Sequence, residues 1–485
     1  MNPVRKIVKN SGASLLTQVS NPISSFVLAF YIARYLGVSG LGEFSSALSQ
    51  LYIFQAFASL GFTYLITREV SQDKSKANKY LVNASLIGFV FSLCLIPVMC
   101  IVVNLLTENA DIRRAVYILS ISLVPYSLAL ICESICRAFE KFEYITISQI
   151  ISSSFKVFVG LILLFQGYKL EYLMLVILGS YIFNLCTSLY FALSCIPEKH
   201  FKVDFGFCKW IVGATPVFAI IIILNAVRWN IDTLILTKMM SEKEVGFYGA
   251  AIRLMHMGKL GLSCYVVAIQ PLIFKLYKSS KKGFAEICEE SNRYLLILLI
   301  PIAFGTTVLS DRFVLLAFKS EFLPAGYALG IIIWVLIFSS ENLIFANALV
   351  ASDYQAINLY GNLLLMISNI CLNLLLIPKL GFIGASIASV LSSMILFIFQ
   401  YHYISKYLFK VNIFHQFKKP IMASTLMGVF ILIFREINLF LIIFISIIIY
   451  FLGLLALKTF TQRDISLLRK LWREEGKSLV TKHDA

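Results

Sequence analysis

The sequence predicts an all-α polytopic membrane protein with about fourteen transmembrane helices. Two six-helix lobes, related by a parallel repeat, are followed by two additional helices. Three observations lead there. The 485 residues are 59% hydrophobic and only 14% charged, with a mean hydropathy of +0.84; soluble domains sit near roughly 45–50% apolar and about 25% charged. Apolar stretches of membrane-crossing length recur along the whole chain. Several short motifs also return at a single spacing of 204 residues.

A crossing needs roughly 20 apolar residues. In order, the segments are 11–36, 43–66, 80–106, 114–136, 145–166, 171–196, 209–236, 246–274, 294–310, 324–347, 355–377, 382–405, 420–434 and 437–457. The first follows MNPVRKIVKN without an A-x-A-like cleavage site, so it reads as a span and not as a removable signal. The thirteenth is the shortest. No large hydrophilic stretch separates the spans, which leaves no room for a soluble catalytic domain.

Charge sets the orientation. With the N-terminus in the cytoplasm, 28 of the 42 Lys and Arg residues fall on the cytoplasmic side and 10 on the other. That bias follows the positive-inside rule and places both termini in the cytoplasm. It also accounts for the net charge of +16 without a nucleic-acid partner, because the cations are spread through short loops. The tail, ISLLRKLWREEGK, reads as a basic helix lying on the membrane surface.

The repeat divides the chain. LGEFSSAL (41–48) resembles VGFYGAAI (245–252), which aligns Gly42 with Gly246; SLCLIP (92–97) resembles LLILLIP (295–301), which aligns Pro97 with Pro301. Arg34 and Lys238 share the same offset, near the outer ends of spans one and seven, where they read as cavity-rim residues or interfacial anchors. Span one thus maps on span seven, and a half of six spans, an even number, preserves orientation. The halves are 1–204 and 205–408, followed by two helices in 409–457 and the tail 458–485. Transporters with parallel halves place their substrate between them.

Four cations remain inside spans: Lys156, Arg228, Arg253 and Lys259. A charge at the bilayer centre costs about 2.5–3.5 kcal/mol on insertion scales and usually faces a bundle interior. Arg228 and Asp232 lie four apart on one helix face, so they can pair, and Arg253 on the returning span sits at a depth from which it can also reach Asp232. This pair is either a structural salt bridge or part of a cavity. Arg253, His256 and Lys259 follow one another at three-residue steps and form a wall of a hydrated cavity. Lys156 and Lys259 sit near the middle of their spans, where snorkelling is difficult, and they are assigned to the substrate path with Arg228 and Arg253. Glu133, Asp232 and Glu341 are the candidate counter-charges or proton sites.

Other motifs exclude chemistry. GVSGLGEF (37–44) has neither Walker nor dinucleotide spacing. The ten cysteines contain no C-x-x-C, and the five histidines are too dispersed for a metal site. Cys132 and Cys136 share a helix face and read as packing residues. Pro97, Pro125, Pro216 and Pro301 interrupt spans three, four, seven and nine, as kinks or hinges.

Three runs carry a family resemblance: IARYLGVSGLGEFSSALS (32–49), the pair IDTLIL (231–236) and VGFYGAAIRL (245–254), and LVASDYQAINLYGNLLLMISNICLNLLLIPKLGFIGASIAS (349–389). Through them the chain resembles the Wzx-type polysaccharide flippases, in the multidrug/oligosaccharidyl-lipid/polysaccharide (MOP) superfamily with MATE exporters and the lipid II flippase MurJ. The resemblance implies a twelve-plus-two bundle around a central cavity in the bacterial plasma (inner) membrane. It implies movement of an undecaprenyl-pyrophosphate-linked oligosaccharide, for O-antigen, capsule or exopolysaccharide, to the outer leaflet. No enzymatic activity and no cofactor are implied; proton or sodium coupling stays open, as does partnership with a polymerase and a chain-length regulator. A basic lumen suits such cargo, since Arg and Lys hold phosphate by charge-assisted bonds. The alternatives are a lipid II flippase, a cation-coupled multidrug antiporter of the same superfamily and, from a different class, a membrane polymerase or acyltransferase.

Overall fold

The computed structural model describes residues 3–197, 202–410 and 412–459. These residues contain no strand. The first half comprises α1 (Pro3–Ala58), α2 (Phe62–Gln72), α3 (Ala77–Leu106), α4 (Ala110–Ser120), α5 (Leu123–Ala138), α6 (Phe142–Phe165) and α7 (Leu170–Cys195). The second comprises α8 (Phe205–Ala214), α9 (Pro216–Met239), α10 (Glu242–Ser279), α11 (Lys281–Val308), α12 (Ser310–Ala317), α13 (Ala325–Ile332), α14 (Val335–Ala351) and α15 (Gln355–Tyr407). The chain ends with α16 (Ile413–Ile433) and α17 (Leu439–Ala456). The predicted surface helix of the tail lies outside the described residues.

Among the described residues, eleven helical stretches, not fourteen, are separately long and apolar enough to cross a membrane. Two of the eleven, of 51 and 53 residues, are double length. A helix of that size would run roughly 75–80 Å at 1.5 Å per residue, more than twice the hydrocarbon thickness of about 30 Å. Each breaks at a glycine with positive φ: Gly37 (φ 69°) in α1 and Gly381 (φ 56°) in α15. The second break is a reversal. A Cβ on Gly384 would stand 2.5 Å from the Leu376 carbonyl oxygen, whereas eight residues along a straight helix are about 12 Å apart. The Glu244 carboxylate accepts the Phe382 N–H at 3.0 Å and so caps the arm that begins there. α10, which carries Arg253, His256 and Lys259, is not one of the eleven stretches.

The four prolines do not act alike. Pro97 and Pro301 lie inside the continuous helices α3 and α11. Pro216 opens α9 after the break from α8. Pro125 follows the break between α4 and α5. The second span breaks elsewhere, at Leu60 (φ 45°) and Gly61 (φ 73°), where α1 gives way to α2.

The two halves meet along α1, α9 and α10, and the contact is reciprocal. A Cβ on Gly42 would collide with the Glu242 carbonyl oxygen, and one on Gly246 would collide with the Val38 carbonyl oxygen. Glu242 lies 204 residues after Val38, and Gly246 lies 204 after Gly42. Such an exchange, in which i touches j and j touches i, is the mark of a local two-fold axis. At the next turn a Cβ on Gly249 would stand 2.6 Å from Ser45 Oγ, and Gly249 is the repeat mate of Ser45. Thr237 Oγ1 lies 2.8 Å from Ser46 Oγ. These contacts close the end that the charge pattern assigns to the outside. At the opposite end α8 leans on the first half: Tyr80 meets Phe207 edge to face at 4.9 Å, and the Asp204 N–H donates to Asn83 Oδ1 at 2.8 Å.

α16 and α17 pack on the outside of α11. Ala423, Met427, Ile431, Ile442 and Leu454 form a small core with Leu309. The Tyr450 hydroxyl ties it down by donating to the Ile297 carbonyl at 2.6 Å.

Candidate functional site

Two cavities lie inside the helical halves, at equivalent places in the repeat. The first, of about 360 Å³, is lined on α1 by Ser25, Leu28, Phe44, Leu48 and Tyr52. The second, of about 40 Å³, is lined by Trp229, Asp232, Tyr248, Ile252 and His256. Every one of those five is its counterpart's number plus 204. The backbone frame is therefore shared while the side chains differ. An indole in place of Ser25 Oγ and a phenol in place of the Phe44 ring help to fill the second cavity.

In the first cavity Glu133 is the acid, 5% exposed. It accepts from Asn184 Nδ2 at 3.0 Å and Gln149 Nε2 at 3.3 Å. Lys156, two turns beyond Gln149 on α6, also lines this space, and no hydrogen bond or ion pair joins it to any described residue. Tyr52, Tyr126 and Tyr181 give the cavity aromatic walls.

In the second cavity the expected ion pairs are absent. Asp232, 8% exposed, accepts from the Tyr248 hydroxyl at 2.7 Å, Ser389 Oγ at 2.5 Å and Asn373 Nδ2 at 2.7 Å. Three neutral donors satisfy a buried carboxylate without desolvating a second charge. Neither Arg228 nor Arg253 pairs with it among the described residues. Arg228 instead donates to Asn362 Oδ1 at 3.4 Å and lies 5.1 Å from the Trp229 ring centroid. Lys259 Nζ is 3.1 Å from the same centroid, and His256 meets the indole edge to face at 5.9 Å. Trp229 thus gathers two cations and an imidazole by its π system, the kind of partner that holds a cation without neutralising it.

Arg253 has turned the other way. It donates to Ser45 Oγ at 2.9 Å and to the Gly249 carbonyl at 2.8 Å, and lies 5.5 Å from the Phe44 ring. Since Phe44 lines the first cavity, Arg253 stands at the seam between the halves. The four half-buried cations therefore do not form one patch. Lys156 is in the first cavity, Arg253 at the seam, and Arg228 and Lys259 flank Trp229.

Three further candidates are not in either cavity. Arg34 is exposed and stacks on Phe30 at 5.0 Å, while exposed Lys238 donates to the Leu105 carbonyl at 2.6 Å; neither lines one of these two cavities. Glu341 is fully buried and neither of its oxygens has a hydrogen-bond partner among the described residues, so it pairs with none of the four cations there. Cys132 and Cys136 are buried packing residues. Sequence reasoning missed Trp229, Tyr248, Asn184 and the Asn373–Ser389 pair. One signal was present: ISNICLN sets Asn369 and Asn373 four apart on a face of an otherwise apolar helix.

Comparison with known proteins agrees with this architecture. The chain resembles the probable low-salt glycan biosynthesis flippase Agl15 of Haloferax volcanii, 24% identical over 388 residues that cover 78% of this chain and 79% of that one. It is 23% identical to a putative O-antigen transporter of Shigella flexneri over 312 residues, 61% of this chain and 72% of the other. Its fold matches the lipid II flippase MurJ in an inward closed conformation with a TM-score of 0.74 at 16% identity, covering 94% of this chain and 99% of that one. An inward-facing MATE-family multidrug transporter of the MOP superfamily matches with a TM-score of 0.67 at 11% identity, over 81% of this chain and 98% of the other. The model of one family, described as polysaccharide biosynthesis protein, matches residues 7–277, more than half of the chain. The chain is a multi-pass membrane protein and belongs to the polysaccharide biosynthesis protein family.

Proposed function

We propose that the protein is a flippase for a lipid-linked oligosaccharide. The cargo is an undecaprenyl-pyrophosphate-linked repeat unit of an O-antigen, capsule or exopolysaccharide. It moves from the cytoplasmic to the outer leaflet of a bacterial plasma membrane by alternating access, with both termini of the protein in the cytoplasm. One observation carries this reading. Arg228 and Arg253, on α9 and α10, have no carboxylate partner among the described residues and stand beside the repeat-related cavities. A half-buried guanidinium held by neutral groups favours an anion that comes and goes, and a pyrophosphate fits that description.

The lipid tail needs an apolar surface. A groove of about 350 Å³ between α11, α16 and α17, lined by Leu298, Ile302, Met427, Ile447 and Phe451, offers one on the outside of the second half. The buried carboxylate of Asp232 is the candidate for the coupling ion, a proton or sodium. The product then becomes available to a polymerase and a chain-length regulator.

The test is polymer display in cells that lack the chromosomal gene and carry plasmid-borne variants. Arg253→Ala and Lys259→Ala should abolish display at normal protein level, and Arg253→Lys should be milder. Full display by both alanine variants would sink the assignment.

A further inference from the structure

We infer that the cavity of the first half is a binding subsite for an acidic sugar, a hexuronate residue of the cargo glycan. This rests on the flippase reading and adds what the cavity selects.

Size comes first. The two cavities share a frame, but only the first has room, about 360 Å³ against about 40 Å³. Small-molecule sites span roughly 300–1,000 Å³, so a sugar ring can enter the first and not the second. The lining is also of the right kind. Three tyrosines supply flat apolar faces with hydroxyl tips, a combination suited to the alternating faces and edges of a pyranose.

Charge placement gives the class. Glu133 is held at one end by Asn184 and Gln149. Lys156 is seven residues beyond Gln149 on α6, which places it about 10 Å further along the helix axis. The cavity is therefore dipolar, with hydrogen-bond acceptors at one end and an ammonium at the other. Asn184 Oδ1 is a buried acceptor with no partner, and Lys156 is a donor with none among the described residues. A ligand that satisfies both presents hydroxyls at one end and an anion at the other. A hexuronate has that layout: its carboxylate meets Lys156, and its ring hydroxyls donate to Glu133 and Asn184. A neutral hexose leaves Lys156 unmatched. Pyrophosphate offers no hydroxyls and brings negative charge to Glu133.

The experiment measures binding of D-glucuronate, D-glucose and inorganic pyrophosphate to the full-length protein in lipid nanodiscs, by calorimetry or ligand-observed NMR. Glucuronate should bind more tightly than glucose. Lys156→Gln should weaken glucuronate by roughly ten- to hundredfold, the loss of a hydrogen bond to a charged group, and leave glucose unchanged. Glu133→Gln should weaken both sugars. Thermal melting of each variant separates lost binding from lost folding, and Lys156→Arg, which keeps the charge, should retain glucuronate. The inference is overturned if the wild-type protein does not prefer glucuronate, if Lys156→Gln binds it normally, or if pyrophosphate is the ligand that Lys156→Gln loses. Polymer display in the same strains separates the two claims. Display that needs the gene but survives Lys156→Gln and Glu133→Gln defeats the sugar subsite and leaves the flippase reading standing. Display that persists without the gene defeats the flippase reading.

Discussion

Gly246→Ala tests how the α1–α10 seam closes. A methyl at this position collides with the Val38 backbone carbonyl and comes within 2.9 Å of Val38 Cγ1. The obstacle is main chain, which cannot swing aside as a side-chain tip can. Overpacking a tight contact costs about 1–3 kcal/mol. The cost falls only on the state in which α1 and α10 touch, so it moves the closed–open equilibrium by about fivefold to a hundredfold. The assay is a cross-link. Ser46 and Thr237 hydroxyls are 2.8 Å apart across the seam, and Ser46→Cys with Thr237→Cys, in a chain cleared of its ten native cysteines, should oxidise readily when the seam is closed. Gly246→Ala should slow that oxidation by the same factor. Gly261→Ala is the control: it lies on the same helix, and a Cβ there has nothing within 4 Å. It should leave the cross-link unchanged. Equal rates for Gly246→Ala and the parent would refute the closure; slowing by Gly261→Ala to the same degree would show that α10 itself, and not the seam, had been disturbed.

Other predictions follow from the same geometry. Trp229→Leu removes the aromatic surface beneath Lys259 and Arg228; with about 0.5–2 kcal/mol in such contacts, display should fall severalfold, and Trp229→Phe should restore part of it. Glu341→Leu should raise the melting temperature, since an unmatched buried carboxyl costs about 1–3 kcal/mol, and Glu341→Gln should keep display intact; display lost in a stable Glu341→Gln protein would make this residue a coupling site instead. Asp204 accepts from Lys79 Nζ at 2.9 Å and from the Phe207 N–H at 3.0 Å, and the Lys79 bond first, then the backbone bond, hold its carboxyl below its ordinary range. A depressed carboxyl stabilises the fold above its unfolded value of about 4 and loses that contribution as pH falls through the folded value. Asp204→Asn should therefore melt lower than the parent at neutral pH, the gap closing as the pH falls from about 4 through the folded value; a gap that persists below it would rule out the charge as its source.

Much of the architecture could be read in the sequence because hydrocarbon is a severe solvent. Each crossing must be long, apolar and internally hydrogen-bonded, which writes its position into composition. The 204-residue spacing was legible for a related reason: Gly42 and Gly246 face each other's backbones, where no side chain fits. Partner choice was harder. Arg228 and Asp232 sit one turn apart and still do not pair, because Tyr248, Asn373 and Ser389 arrive from two other helices and satisfy the acid first. Spacing along one helix cannot show what another helix brings. The same holds for Trp229, whose role depends on Lys259 lying over its ring.

The repeat frames the contrast between one roomy cavity and one filled one. The two halves share one backbone frame, and the reciprocal contact between α1 and α10 obeys it. That contact concerns backbone and small residues, so it tolerates little change in either copy. The cavities carry no such constraint. At the five shared positions Ser25, Leu28 and Tyr52 face Trp229, Asp232 and His256 across the repeat, while Phe44 and Leu48 face Tyr248 and Ile252. The second half therefore carries an indole, a carboxylate and an imidazole, with two cations around the indole. The first half has the space. Under the flippase reading this division has a physical logic. A diphosphate is small and strongly charged and needs concentrated cationic groups more than volume, whereas a sugar ring needs volume and a graded set of donors and acceptors. Arg253, rooted in the second half but bonded to Ser45 of the first, is where the two demands meet.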